Sequence, residues 1–292
     1  MITRRSWITS AAAAIPAAGL LGCAGTPTRQ GTRGFTGELG INIYSLRYKA
    51  KEDLPGTLEL IRDLGFRHVE AGDLYGRSPA EFQALLKANG LQAKSVGASY
   101  QALGSEIDKV IEHAKTLESD YVVCSTIPHS EKHLAVKDLQ PAADNLNRWG
   151  ETLAASKLRL CYHTHGTEFD PSPDGTRFDT LAKMTDRNFV NYEMDIFWIV
   201  YGLQDPVAFL ERYPGRFPLM HVKDIRKGTV LNLTPADVAE DDSVPLGTGL
   251  VDVSAALLAA QRTGVKHMFL EEEAVDALPQ IRESLRYIEG LR

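Results

Sequence analysis

The chain has 292 residues, of which 43% are hydrophobic, and it carries a formal net charge of -6. A chain of this size and composition can bury a sizeable core. The acidic balance comes without any run of Lys and Arg that would form a basic patch, so it disfavours a nucleic-acid partner and favours a small-molecule ligand.

The N-terminal segment is typical of an export signal rather than of a folded domain. Residues 3–9, which contain the pair Arg4-Arg5, are typical of a twin-arginine signal. The apolar stretch Ala11–Leu21 is shorter than the roughly 20 residues that a membrane-spanning helix needs. We therefore predict that residues 1–23 direct export to the periplasm by the twin-arginine route.

The end of this signal, Leu20-Leu21-Gly22-Cys23, resembles a lipobox. Cleavage before Cys23 would leave a cysteine that can carry lipid, and that lipid would be the only expected contact with a membrane. The alternative is an ordinary signal that is cleaved near Ala24, with Cys23 incidental. Residues 24–37 are rich in Gly, Thr and Arg and are predicted to form a flexible tether.

From residue 38 onward, short extended apolar runs alternate with segments of helical spacing. The helical segments carry start and stop signals, such as the capping box that begins at Ser78 and the Asn89-Gly90 pair that ends the same helix. The predicted strands are Leu39–Tyr44, Phe66–Ala71, Leu91–Gly97, Tyr121–Cys124, Leu158–His163, Val190–Asp195, Phe217–Val222 and His267–Glu271. The predicted helices are Leu54–Leu64, Ser78–Asn89, Ile107–Leu117, Leu134–Ser156, Phe178–Met184, Pro206–Tyr213, Val253–Thr263 and Ile281–Leu291.

Eight strand–helix pairs predict an α/β protein with a parallel sheet, and eight repeats favour closure into a barrel over an open sheet. Residues 38–292 are therefore predicted to form a single (β/α)8 TIM barrel. The long connection from Asp224 to Leu250 is expected to lie over the rim at the C-terminal ends of the strands. Within it, Gly247-Thr248-Gly249 is interpreted as a turn, and phosphate binding through its backbone N–H groups is the alternative.

Acids and histidines follow the ends of four successive predicted strands. Side chains alternate along a strand, so residues two apart share a face, and the C-terminal ends of barrel strands meet at one rim. The pairs expected to face that rim are His163 and His165, Glu193 and Asp195, His221 and Lys223, and Glu271 and Glu273. Glu193 is interpreted as a member of a structural ion pair. The mixture of His and carboxylate suits one divalent metal, with Mn²⁺, Zn²⁺, Co²⁺ and Mg²⁺ all compatible.

These motifs, in this order and spacing, resemble those of the sugar phosphate isomerase/epimerase-like TIM barrels related to xylose isomerase, inositol-catabolism isomerases and endonuclease IV. The resemblance runs from about Gly40 to Arg292. It rests on Tyr162-His163-Thr164-His165 with Glu168-Phe169, Glu193 to Trp198, His221 to Asp224, Gly247-Thr248-Gly249 and Leu270 to Glu273.

The resemblance implies one divalent metal held by Glu, Asp, His and Glu at the ends of strands five to eight. Carried over residue by residue, the implied ligands are His163, Asp195, His221 and Glu271. His163 departs from the pattern of the sugar epimerases, which have Glu there, and His165 remains the alternative ligand on this strand. Glu273 likewise remains the alternative to Glu271.

The implied chemistry is proton removal next to the carbonyl of a keto-sugar, with an enediolate that the metal stabilises. The candidate bases are Glu273, His165 and Glu70, and Lys223 is expected to steady an oxyanion. Candidates for stacking on a sugar ring are Trp198, Tyr44 and Tyr75, for which ordinary packing is the alternative.

The sequence therefore predicts a divalent-metal-dependent isomerase or epimerase of keto-sugars whose partner is a small carbohydrate. One alternative is a periplasmic lyase that removes the aglycone of a 3-keto-glycoside by β-elimination, since this reaction begins with the same enediolate. A second alternative is a sugar-binding lipoprotein without activity. A nuclease is disfavoured by the acidic charge and the export signal.

Overall fold

The structure, a computed structural model, describes residues 34–129, 134–173, 175–231 and 238–292. The predicted twin-arginine signal, the predicted lipobox with Cys23 and the tether up to residue 33 lie outside the described residues. Within the described ranges, no helix is both long enough and apolar enough to cross a bilayer.

Eight parallel strands close into a barrel in which each strand pairs with the next along the chain and the last pairs with the first. The strands are β1 Leu39–Asn42, β2 His68–Ala71, β3 Gln92–Gly97, β4 Tyr121–Cys124, β5 Arg159–His163, β6 Val190–Asp195, β7 Leu219–Val222 and β8 His267–Leu270. The predicted (β/α)8 barrel is confirmed.

Helices connect the strands around the outside of the barrel. They are α1 Arg47–Glu52, α2 Leu54–Asp63, α3 Pro79–Ala88, α4 Tyr100–Ser105, α5 Ile107–Thr116, α6 Val136–Ala155, α7 Arg177–Met184, α8 Ile196–Tyr201, α9 Pro206–Arg212, α10 Val253–Thr263 and α11 Leu278–Leu291. Short 3-10 turns lie at Ile43–Leu46, Thr167–Phe169 and Glu240–Asp242.

The capping signals that predicted α3 operate in the structure. The Ser78 side chain accepts from the Glu81 backbone N–H, and the Glu81 carboxylate accepts from the Ser78 backbone N–H at 2.8 Å. Together these bonds satisfy donors that the first turn of a helix leaves free, with Pro79 at the first helical position. The sequence did not predict α1, α4 and α8, which have 6 residues each.

The barrel interior changes character along its axis. A middle layer is apolar and contains Tyr121, Val123, Cys161, Leu219 and Phe269. Above this layer, toward the C-terminal ends of the strands, the inward-facing positions become acids and histidines. The apolar layer therefore forms the floor on which the polar cluster stands.

The folded unit begins earlier in the chain than the sequence predicts. Phe35, which the sequence analysis placed in the tether, is 2% exposed and belongs to the hydrophobic core, so the folded unit begins before residue 38.

Cys124 and Cys161 are both buried free thiols. Cys161 pairs in register with Val123 rather than with Cys124, so strand alternation places the two thiols on opposite faces of the sheet.

The long connection after β7 is attached to the barrel at both of its ends. Asp224–Ile225 pairs antiparallel with Ser243–Val244. The Asp224 carboxylate also accepts from four backbone N–H groups, those of Ile225, Gly247, Gly249 and Val251, at 2.8 to 3.0 Å. This bonding holds the returning part of the connection against the end of β7.

Candidate active site

The C-terminal ends of the strands surround a cleft of about 520 Å³. This volume lies within the range of roughly 300–1,000 Å³ that is common for small-molecule sites. Buried polar side chains form its base, namely Asn42, Glu70, His163, Glu193, His221 and Glu271. Its upper walls include Tyr44, Asp73, Tyr75, Ser99, Ser125, His165, Trp198 and Glu273.

His221 lies at the centre of the buried cluster. Its Nδ1 atom is 3.2 Å from Glu271 Oε2 and 3.9 Å from Asp195 Oδ2. Its Nε2 atom is 2.8 Å from Glu70 Oε1 and 3.5 Å from Glu193 Oε2. A single imidazole is therefore surrounded by four carboxylates from three strand ends, those of β2, β6 and β8.

Two overlapping groups in this cluster have ligand atoms that lie within 4.8 Å of one another. One consists of Asp195, His221 and Glu271, and the other of His163, Glu193 and His221. The four ligands that the resemblance implies are all members of one group or the other. Glu193, which the sequence analysis assigned to a structural ion pair, does pair with His163 Nδ1 at 2.9 Å, but it also belongs to the second group.

Unpaired buried atoms show that the cluster fits a cation. Among the described residues, Glu193 Oε1, Asp195 Oδ2 and His221 Nδ1 are buried without a hydrogen-bond partner. A buried polar atom without a partner costs about 1–3 kcal/mol, so three such atoms within one cluster need an explanation. Two carboxylate oxygens and an imidazole nitrogen are donors that divalent metals accept.

The tautomer that His221 needs for this role is set by Glu70. In the neutral ring that a metal would bind, Glu70 Oε1 accepts from His221 Nε2, and the lone pair of Nδ1 lies on the side of Asp195 and Glu271. A carboxylate that orients a ligating imidazole in this way is common in metal sites. The remaining bonds to Glu70 come from Ser95 Oγ at 2.6 Å and from Asn42 Nδ2 at 3.1 Å.

Asp195 is positioned by the start of a helix. It is the last residue of β6 and the N-cap of α8, and its Oδ1 accepts from the backbone N–H of Phe197 at 2.8 Å. The first turn of a helix offers free N–H groups, so this bond fixes one carboxylate oxygen. The other oxygen, Oδ2, remains directed at the cluster.

Electrostatics in the cluster reflect an excess of buried carboxylate. Burial and the neighbouring Glu70 raise the pKa of Glu193 well above its usual range. Burial raises the pKa of Asp195 to about 7, although Lys223 and His221 oppose this shift. Burial alone would lower the pKa of His221, but the surrounding carboxylates outweigh it and the pKa is raised. Bound positive charge would relieve this mutual repulsion.

The sequence analysis proposed Lys223 as an oxyanion donor, and the structure places it behind the cleft instead. Its side chain has 0% exposure and is not part of the cleft lining. The ammonium group pairs with Glu273 and lies 3.5 Å from Glu271 Oε1. The Phe197 ring lies 4.5 Å away on another side. Lys223 is therefore placed to orient two carboxylates, and its role toward an oxyanion stays a prediction.

Two of the candidate bases line the cleft with part of their surface free. Glu273 has a side-chain exposure of 23% and its charge is paired with Lys223. His165 follows β5, and burial lowers the pKa of its imidazole, so the ring is neutral near pH 7. Glu168 accepts from the His165 backbone N–H at 3.0 Å and from the Tyr162 hydroxyl, which holds this turn in place. Glu70, the third candidate, uses both oxygens in hydrogen bonds below the cleft.

The three aromatic candidates all line the cleft, in different environments. Trp198 is 5% exposed and its ring centroid lies 5.7 Å from that of His165. Tyr44 is 47% exposed at the mouth. Tyr75 has a φ of 51°, a left-handed conformation that costs energy for an aromatic residue. The Asp73 side chain, which accepts from the Tyr75 backbone N–H at 2.8 Å, supports that conformation.

The alternative of a phosphate site at Gly247-Thr248-Gly249 is wrong. The backbone N–H groups of Gly247 and Gly249 both donate to Asp224 Oδ2, at 3.0 and 2.9 Å. A Cβ atom on Gly249 would lie 2.2 Å from the Ile225 carbonyl oxygen, so the backbone here packs too closely for any other residue. The segment is a turn, which was the favoured interpretation.

Two residues of the cluster, Asn42 and Ser95, were not predicted from the sequence. Asn42 donates to Glu271 Oε2 at 2.7 Å as well as to Glu70, and Ser95 donates to Glu70. Glu193 was recognised as inward-facing but not as a candidate ligand. A possible signal was position, because Asn42 ends β1 and Ser95 is an inward-facing position of β3.

Comparisons with known proteins agree with the barrel fold. A profile of the family described as xylose isomerase-like TIM barrels matches residues 58–291. An inosose dehydratase of Geobacillus kaustophilus strain HTA426 is 26% identical over 60% of this chain and 66% of its own length. The match thus covers slightly less than two thirds of that relative.

Solved structures share the fold at lower identity. A sugar phosphate isomerase/epimerase from Parabacteroides distasonis ATCC 8503 has a TM-score of 0.69 at 22% identity, covering 87% of this chain and 93% of its own. The IolI protein, solved with a zinc atom, has a TM-score of 0.67 at 15% identity, covering 87% and 98%.

Proposed function

The chain belongs to the xylose isomerase-like TIM barrel family, and from that premise we propose that it is a divalent-metal-dependent enzyme that removes the proton next to the ketone of a keto-sugar. The unpaired atoms Glu193 Oε1, Asp195 Oδ2 and His221 Nδ1 are the observation that carries the proposal. Asp195, His221 and Glu271 would hold the metal, with His163 and Glu193 beside them. A divalent ion there would supply a Lewis acid for a carbonyl oxygen.

Glu273 is the residue we assign as the base. Its carboxylate lines the cleft, where it can accept a proton from a carbon next to the ketone, and its ion pair with Lys223 holds it in position. His165 is the second group on the wall, and its neutral ring can accept a proton at one nitrogen while donating a hydrogen bond to substrate from the other. Trp198 lies beside His165 and offers a face for the sugar ring.

Two outcomes start from this deprotonation. In isomerisation or epimerisation, Glu273 takes the proton, an enediolate forms, and a proton returns to carbon, so the mass of the substrate is conserved. In β-elimination, the C–O bond two carbons from the carbonyl carbon breaks, and the leaving oxygen takes a proton. The name of the relative from Geobacillus kaustophilus, a dehydratase, favours elimination as the second candidate.

The first experiment is elemental analysis of the purified protein beside the double variant Asp195→Ala/His221→Ala. We expect about one divalent metal per chain in the wild type and none in the double variant. The exposed-acid variant Asp108→Asn on α5 is the matched control and should keep the metal. Absence of metal from the wild type after incubation with Mn²⁺, Co²⁺ and Zn²⁺ would contradict the proposal and favour a sugar-binding protein without activity.

The second experiment tests the base. The variant Glu273→Gln should keep its metal and lose about 10²- to 10⁴-fold in kcat on keto-sugars and 3-keto-glycosides, because the amide cannot accept the proton. Mass spectrometry of the products separates the two outcomes, since elimination releases a second molecule and isomerisation does not. A variant with wild-type kcat would exclude Glu273 as the base.

We also propose that residues 1–23 direct export to the periplasm, where unphosphorylated carbohydrates are the expected substrates. The supporting feature is the Arg4-Arg5 pair before the apolar stretch. The variant Arg4→Lys/Arg5→Lys should retain the protein in the cytoplasm, and Cys23→Ala should abolish labelling with a radioactive fatty acid. Export that is unaffected by the first variant would contradict the twin-arginine route.

A further inference from the structure

A second cavity of about 310 Å³ adjoins the cleft. Five residues line both spaces, namely Gly72, Asp73, Gly97, Ala98 and Ser99. These residues lie at or just after the ends of β2 and β3, so the second cavity lies beside the cleft, between these strand ends and helices α4 and α5. The two spaces therefore form neighbouring compartments with a common wall.

Glycines keep the common wall thin. A Cβ atom on Gly97 would lie 3.0 Å from both the Cα atom and the carbonyl oxygen of Gly72, so the two backbones approach closely. A Cβ atom on Gly72 would meet nothing within 4 Å. A side chain at residue 72 would therefore meet no neighbouring atom, whereas one at residue 97 would press on the backbone of Gly72.

The second cavity differs from the cleft in chemistry. Its apolar lining comes from Leu74 and Val96 near the strand ends and from Ala102, Val110 and Leu117 on the α4–α5 side. Polar groups stand at its edge, including the ion pair between Lys109 and Glu106 at 3.1 Å. An apolar compartment with a few polar groups suits a flat hydrophobic moiety, whereas the base of the cleft suits a hydroxylated one.

We propose that this cavity binds the apolar aglycone of a glycoside whose keto-sugar occupies the cleft. The proposal rests on the proposed function and narrows its substrate class to glycosides with an aromatic or similarly flat aglycone. The lining residues that the two compartments share, the apolar lining of the second cavity and its volume near the lower end of small-molecule sites support this occupant. An aglycone in this position would add binding energy remote from the reacting carbon.

The test compares phenyl and methyl glycosides of the same keto-sugar, for example the 3-keto-glucosides. The wild type should bind the phenyl compound at least about tenfold more tightly, because only the phenyl ring fills the apolar cavity. The variant Ala102→Phe fills the cavity from α4 and should abolish this preference while leaving the methyl compound unchanged. Ala80→Phe, an exposed position on α3, is the matched control and should keep the preference.

Leu74→Trp fills the same cavity from the β2 side and guards against a folding defect in the first variant. Equal affinity for both glycosides in the wild type, or a preference that survives both filled-cavity variants, would overturn the inference. Calorimetric titration needs no turnover, so the inference can be judged even if no keto-sugar reacts. If the filled-cavity variants lose the phenyl preference but the wild type turns over no keto-sugar, the proposed enzymatic activity is rejected and the aglycone site is retained.

Discussion

At the scale of single residues, the role of each polar side chain in the candidate site depends on its hydrogen-bond partners. Glu70 was predicted as a base because it is an inward-facing acid near a strand end. In the structure, both of its oxygens accept hydrogen bonds, which come from Ser95, Asn42 and His221. Glu70 is therefore a positioning residue. Which inward-facing acid stays free depends on partners from other strands, and this information is absent from any one segment.

Glu70→Gln should therefore weaken metal binding rather than remove the base. The uncharged amide is a weaker hydrogen-bond acceptor for His221 Nε2 than the carboxylate is. We therefore expect about 10- to 100-fold lower metal affinity, as is common when the partner of a ligating histidine is changed. Competition with a fluorescent chelator measures this affinity. Glu112→Gln, an exposed position on α5, should bind metal as the wild type does. Unchanged affinity in Glu70→Gln would show that His221 needs no orienting carboxylate.

At the scale of elements, the regular strands and the longer helices were predictable from apolar runs and capping residues. The strand Tyr121–Cys124 and the helix Val253–Thr263 have the predicted bounds. The short helices α1, α4 and α8 were missed because each is under two turns, and a period of 3.6 residues cannot repeat in so short a span. Two of them, α4 and α8, matter for the sites, since α4 lines the second cavity and α8 fixes Asp195.

The link between α7 and α9 gives a prediction at this scale. Asp179 completes the capping box of α7 and accepts from Arg212 at 3.2 Å and from the Tyr213 hydroxyl at the end of α9. Burial would raise the pKa of Asp179, but the hydrogen bonds from Tyr213, Thr176 and Arg212 outweigh it, and the pKa is lowered. A lowered pKa means that the stabilisation is present above the unfolded value of about 3.9 and is lost as the pH falls below it.

Asp179→Asn should thus destabilise the protein by about 1–2 kcal/mol at pH 7 and by less at pH 3. Thermal unfolding at the two pH values gives the comparison. Asp108→Asn removes an exposed acid from the first turn of α5 and should change stability little at either pH. A loss of stability in Asp179→Asn that is as large at pH 3 as at pH 7 would contradict the assigned titration.

At the scale of the whole molecule, barrel closure brings together residues that are distant in sequence. Asn42 on β1 donates to Glu271 after β8, across a separation of 229 residues. The period-two pattern predicted that the strand-end residues would meet at the rim, and the structure places them around one cleft. The pattern could not predict which carboxylate faces which histidine, because this depends on the stagger of eight strands around the closed barrel.

A cation in the cluster should stabilise the whole fold. Binding to the folded state alone adds about 2.7 kcal/mol at a metal concentration of 100 Kd. For a chain of this size, that corresponds to a rise in Tm of about 5–10 °C. Scanning calorimetry with and without excess Mn²⁺ or Zn²⁺ would measure the rise, which the Asp195→Ala/His221→Ala variant should not show. An equal rise in that variant would place the stabilising metal elsewhere.

The carboxylate of Asp224 bears on how such a barrel can acquire new substrates. Asp224 fixes the returning end of the β7 connection through its hydrogen bonds to Gly247 and Gly249. The antiparallel pairing of Asp224–Ile225 with Ser243–Val244 fixes the base of the connection. Changes of length between Arg226 and Asp242 therefore need not disturb His221 or Glu271. Doubling the length of such a loop costs only about 0.6 kcal/mol in closure entropy. This segment is thus a natural point of insertion, where changes in the loop can alter what the cleft admits while the polar cluster at the strand ends stays the same.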